Sequence, residues 1–105
     1  MYAIGIDIGG TKIAGALVSA DGSIIRDSRV PTPANDANAI AEAVVGLVNE
    51  LSEGLQVEGV GVAAAGFIDA DRATIVYSPN LNWRNEPLKE KLQAKISAPV
   101  LIEND

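Results

Sequence analysis

The 105-residue sequence contains neither cysteine nor histidine. Without thiols, disulfide frameworks, thiolate metal sites and cysteine nucleophiles are excluded from this chain. Without imidazole, the commonest general base and metal ligand is gone, and carboxylates are the acid/base groups left near neutral pH. Basic charge is scarce too: eight Lys and Arg stand against fourteen Asp and Glu, a net charge of −6. The single basic stretch is Lys89, Lys91 and Lys95, so a polyanion such as nucleic acid finds little electrostatic support. Long apolar runs are missing as well. The longest, Gly59 to Ile68, is too short to span a bilayer, and the start MYAIGIDIGG has no basic leader. The expectation is a cytoplasmic protein without membrane or nucleic-acid partners.

What is present is an ordinary α/β composition, 48% hydrophobic and 21% charged, of a length that suits one domain or one half of a two-lobed protein. Tyr2 to Ile8 reads as a strand, and Ile13 to Ser19 as a second strand joined to it by a tight Gly-Gly turn. Asp21-Gly22 signals another turn, and Ser23 to Val30 completes a three-stranded meander that Pro31 and Pro33 punctuate. The period then changes. Ile40, Ala43, Val44, Leu47, Val48 and Leu51 recur at helical spacing, with Asn35 or Asp36 as N-cap and Gly54 at the stop. Gly46, mid-helix, costs about 1 kcal/mol relative to Ala, and close packing is the expected reason for it. VEGVGVAAAG reads as a buried strand, residues 67 to 83 as a loop or short hairpin excursion, and Leu88, Leu92 and Ile96 as a second helix with Pro87 in its first turn. APVLIEND is the last strand. The right-handed crossover rule places the two helix-linked strands parallel in one sheet, and ligands of such sheets gather at the carboxyl ends of strands.

The glycine motifs discriminate further. GIDIGGTK is not a Walker A loop, which needs Lys then Ser or Thr after its last Gly and a helix to follow; here Thr11 precedes Lys12 and a strand follows. Gly59, Gly61 and Ala64 match the dinucleotide fingerprint by letter only, because the glycines lie inside a strand. Physically, Gly9-Gly10 in a hairpin turn lets backbone N–H groups face one concavity, and Thr11 adds a hydroxyl, which suits a phosphate. Asp7, just before the turn, could hold an accompanying Mg²⁺ through water, or could simply be a hydrogen-bonder beside a plain turn.

The blocks IGIDIGGTKIAGALVSADGSII, GVGVAAAGFID, SPNLNW and the terminal VLIEND, in this order, resemble the ROK family of sugar kinases, most closely the actinobacterial-type glucokinases. The resemblance covers the whole chain. It implies the actin-like ATPase fold, whose two ribonuclease-H-like lobes close over ATP and sugar, and it implies that residues 1–105 form the N-terminal lobe, cut at the catalytic Asp with the C-terminal lobe absent. By the same resemblance, Asp105 is the base that receives the proton of the sugar 6-hydroxyl. Asn104, Asn80 and Gly66 contact the sugar together with Asp105. Gly9, Gly10, Thr11 and Lys12 take the ATP phosphates, and Asp7 holds Mg²⁺ through water. Trp83 is expected to pack rather than to bind.

The implied reaction of the full-length parent is transfer of the ATP γ-phosphate to glucose, with Mg-ATP as cofactor, and the fragment alone is expected to be inactive. A structural zinc site of the family, and the residues reading the other sugar hydroxyls, belong to the C-terminal lobe; none is expected in this chain. A homo-oligomeric parent is expected. The alternatives are a kinase for N-acetylmannosamine or N-acetylglucosamine, or a ROK transcriptional regulator. In the regulators a helix-turn-helix precedes the first strand, which here begins at Tyr2. Polyphosphate-using relatives usually carry Gly where Lys12 stands, which favours ATP.

Overall fold

The computed structural model describes residues 1–33, 37–64, 67–68, 75–78, 83–86 and 88–104. Three strands open it: β1 (Tyr2–Ile8), β2 (Lys12–Ser19) and β3 (Ile24–Pro31). They form the expected antiparallel meander, with Ile8 opposite Ile13 and Lys12 opposite Pro31. Helix α1 (Ala37–Leu51) leads to β4 (Val57–Ala64), and α2 (Leu88–Gln93) leads to β8 (Val100–Asn104). Both strands run parallel to β1, giving one five-stranded sheet in the order β3-β2-β1-β4-β8. Pro31 is tolerated because β3 is an edge strand, where a missing N–H breaks no ladder.

Alternation along the strands decides where the core lies. Ile4, Ile6 and Ile8 of β1, Ile13 and Leu17 of β2, Val60, Val62 and Ala64 of β4, and Val100 and Ile102 of β8 all turn to one face and are buried. Against them pack Ile40, Val44, Leu47, Val48 and Leu51 of α1 and Leu88 and Leu92 of α2. The strand over VEGVGVAAAG is therefore buried on one side only, since Glu58 and Gly61 are exposed. Its small residues mimic the continuous run of a strand covered on both faces.

Polar contacts tie the layers. Arg26 of β3 donates from Nη1 to the carbonyls of Leu51 and Glu53 at 3.0 and 2.9 Å, satisfying acceptors that the end of α1 leaves open. Gly54 follows at φ +77°, the left-handed conformation that stops the helix where the sequence places its end. Gln93 donates to the carbonyls of Ile96 and Ala98 and accepts from the Val100 N–H at 2.9 Å, which bridges α2 to β8. Lys95 pairs with Glu42, and Lys91 donates to Asn38 at 2.7 Å, so exposed contacts link the two helical segments.

Two expectations are corrected here. A Cβ added at Gly46 meets nothing within 4 Å, so close packing does not explain that glycine. Residues 67–86 are more than a loop or hairpin: β5 (Phe67–Ile68), β6 (Ile75–Ser78) and β7 (Trp83–Glu86) pair as a three-stranded antiparallel sheet. The proposed caps Asn35 and Asp36, and Pro87, lie outside the described residues.

Candidate active site

Parallel strands that share a register also share an edge. Ile8 of β1 is opposite Ala64 of β4, and Ala64 is opposite Asn104 of β8. With strands about 4.8 Å apart, the three strand ends fall within about 10 Å along one rim. β1, β4 and β8 all end along this rim, and the Gly9-Gly10-Thr11 turn follows β1 there. Of the expected sugar-side residues, Asp105, Gly66 and Asn80 lie outside the described residues, as does the side chain of Asn104. The structure brings the backbone of Asn104 to the same rim as the turn, with β4 between them.

The turn itself is well defined. The Gly9 N–H donates to the Lys12 carbonyl at 2.9 Å, closing the hairpin one step beyond the Ile8–Ile13 pair. A Cβ at Gly9 would lie 3.1 Å from that carbonyl oxygen, so a larger residue would push the two sides apart. Gly10, Thr11 and Lys12 are exposed, leaving the turn accessible to an anion. Thr32, just past β3, donates its hydroxyl to the Gly9 carbonyl at 2.8 Å and its N–H to the Thr11 carbonyl at 3.0 Å. Local pattern does not single out Thr32. Counting outward from the Asp21–Gly22 turn misses it by one, because the register shifts between Leu17 and Val18; only past that irregularity does Lys12 face Pro31, which brings Thr11 beside Thr32.

Asp7 is exposed one residue before the rim, on the sheet face away from the helices. One row across that face reads Arg29, Ala14, Asp7, Ala63, Glu103 from β3 to β8. Gly5, Ala16 and Gly61 join them around a concavity of about 540 Å³. Among the described residues no group of three or more Asp or Glu side chains could hold a metal ion unaided. Asp7 is thus one carboxylate near the turn, and Mg²⁺ is commonly held by one or two carboxylates with its other oxygens from phosphates and water.

Comparison with known proteins adds the following. The family model described as ROK family matches residues 3–105. A glucokinase from Streptomyces coelicolor is 44% identical over 102 residues, spanning 97% of this chain and 32% of that protein. A xylose repressor from Bacillus subtilis is 31% identical over 109 residues, spanning 99% of this chain and 28% of the repressor. Among solved structures, a ROK family glucokinase from Streptomyces griseus in complex with glucose and AMPPNP superposes with a TM-score of 0.92 at 45% identity, covering 99% of this chain and 33% of that one. The chain thus spans about a third of the length of the proteins it matches. Among the described residues no helix is long and apolar enough to cross a membrane.

Proposed function

The chain belongs to the ROK family, and from that premise we propose that it is the N-terminal lobe of a two-lobed kinase that transfers the γ-phosphoryl group of ATP to the 6-hydroxyl of glucose. The observation that supports the reading is the shared rim: the exposed Gly-Gly-Thr turn follows β1, and β8, which carries Glu103 and Asn104, ends at the same edge with parallel β4 between them. A phosphate donor and a sugar acceptor must meet within bonding distance, and this rim is where the two recognition elements converge. The helix-free face supports the lobe assignment, because parallel strands are normally covered on both sides.

In this reading the Gly9-Gly10-Thr11-Lys12 turn takes the phosphates through the N–H groups that the hairpin leaves open, the Thr11 hydroxyl and Lys12, while the Gly9 N–H closes the turn on the Lys12 carbonyl. Asp7 would hold Mg²⁺ through water, and the ion when bound would supply neutralisation of phosphate charge. Asn80, Gly66 and Asn104 position the sugar. Asp105 aligns the 6-hydroxyl and receives its proton as the new O–P bond forms and the bond from the γ-phosphorus to the departing ADP breaks. An alcohol is far less acidic than a carboxylic acid, so Asp105 does not ionise the hydroxyl beforehand. Its work is orientation and late proton acceptance in a loose transition state.

The reading implies a cytoplasmic, homo-oligomeric parent. The second lobe would complete the nucleotide pocket and carry any structural zinc, and the isolated lobe would be inactive. A coupled assay of ADP release over a panel of hexoses tests it. Glucose-dependent turnover with Mg-ATP is expected. Activity confined to N-acetylmannosamine or N-acetylglucosamine would reassign the substrate, and no turnover with any sugar would favour a regulator.

A further inference from the structure

The Gly9-Gly10-Thr11 turn is restrained by a residue from outside its own hairpin. Thr32 follows β3, two strands from β1, and is half-buried. It makes two hydrogen bonds that bracket Gly10, from its hydroxyl to the Gly9 carbonyl at 2.8 Å and from its N–H to the Thr11 carbonyl at 3.0 Å. The peptide bonds are all trans among the described residues. In a planar trans peptide the N–H points opposite to the carbonyl of the residue before it. Drawing the Gly9 and Thr11 carbonyls toward Thr32 therefore turns the N–H groups of Gly10 and Lys12 away from β3. An unbraced Gly-Gly turn samples many peptide orientations, because neither glycine has a Cβ to restrict it. Some of those orientations would present a carbonyl oxygen, not an N–H, to an incoming anion.

We infer that Thr32 is a positioning residue for phosphate recognition: its hydroxyl and N–H hold the Gly-Gly-Thr turn with amide hydrogens, and not carbonyl oxygens, directed at the phosphate. The inference rests on the reading of that turn as the phosphate site. Thr32 touches no substrate itself. The hydroxyl is the replaceable half of the clamp, because the backbone N–H persists in any variant except Pro.

The test compares Thr32→Val, Thr32→Ser and Thr11→Val in the full-length protein, titrating Mg-AMPPNP and glucose separately by calorimetry. Thr32→Val should raise the Kd for Mg-AMPPNP at least threefold and leave the Kd for glucose within twofold, and Thr32→Ser should restore nucleotide affinity to within twofold of the unsubstituted protein. If Thr32→Val does not yield folded protein, Thr32→Ala, which also lacks the hydroxyl and is smaller, takes its place with the same expectation. A nucleotide Kd changed less than threefold, or nucleotide and glucose affinity falling in equal proportion, would overturn the role of Thr32. Thr11→Val separates the two levels. If it weakens nucleotide binding while Thr32→Val does not, only the clamp is wrong; if neither variant changes nucleotide affinity, the phosphate assignment of the turn fails with it.

Discussion

Gly15 of β2 stands where any side chain would collide with Leu51 at the end of α1: a Cβ there would lie 2.9 Å from the Leu51 Cδ1, and equally 2.9 Å from the Ile6 Cδ1. Leu51 is 1% exposed and Ile6 3%, so either side-chain end would have to shift within the core and not out into solvent. The glycine lets the helix end settle onto the sheet. Its substitution is an overpacking change, which in a dense core costs about 1–3 kcal/mol. Gly15→Ala should lower the urea midpoint accordingly with an unchanged slope. An unaltered midpoint would mean that the α1–β2 contact is looser than these distances indicate.

Gly46 makes the opposite case. It sits mid-helix, exposed, with open space around the position of a Cβ. Replacing Gly by Ala in such a site removes backbone entropy from the unfolded chain at no steric cost, worth about 1 kcal/mol. Gly46→Ala should therefore stabilise, read as a higher midpoint in the same titration. A loss of stability would point to a neighbour at this helix face that the lobe alone does not contain.

These two glycines show where sequence reasoning reaches its limit. Both are single letters in otherwise regular elements, and only the distance to Leu51 or to empty space tells them apart. Local signals succeed where the cause is local. Alternation and the Gly-Gly turn give Tyr2–Ile8 with the bounds observed, and Gly54 stops α1 by its own φ. They fail where the partner is distant. Arg26 caps carbonyls at Leu51 and Glu53, more than twenty positions away, and reads in sequence as one charge on an edge strand. β5 has two residues, too few for any period, and exists through its pairing with β6. The rim of the site was legible in part, since the turn is local and the crossover rule places β4 and β8 parallel to β1 in one sheet. Thr32 was not, because its relation to Gly9 depends on the β2–β3 register, which starts at the Asp21–Gly22 turn and then shifts by one residue between Leu17 and Val18.

That Asp21–Gly22 turn carries a pH signature. The Asp21 carboxylate accepts hydrogen bonds from the Ser19 hydroxyl and the Ser23 N–H, which hold its pKa at about 2, below the ordinary 3.8. A depressed folded-state value means stabilisation that is fully present above the unfolded pKa and is lost as pH falls through the folded one. The group is exposed, so screening keeps the effect small. The advantage of the native protein over Asp21→Ala should shrink between pH 5 and pH 2 in parallel thermal melts. A gap that stays constant across that interval would show that Asp21 contributes by shape alone.

The most consequential prediction concerns Asp105, the residue next in sequence after β8. In the proposed reaction the sugar hydroxyl loses its proton as it bonds to phosphorus, and within these residues, which include no histidine, the carboxylates are the acceptors on offer. Asp105→Asn keeps the size of the side chain and its capacity to engage a hydroxyl, and removes the proton acceptor. In the full-length protein kcat should fall at least 10²-fold, about 2.7 kcal/mol of barrier, while the Kd for glucose changes by a few-fold at most. The asymmetry is diagnostic, because a residue that only binds sugar would weaken ground state and transition state alike. A folded Asp105→Asn protein that turned over glucose at near-native kcat would remove Asp105 from the chemistry and send the search for the base to the second lobe.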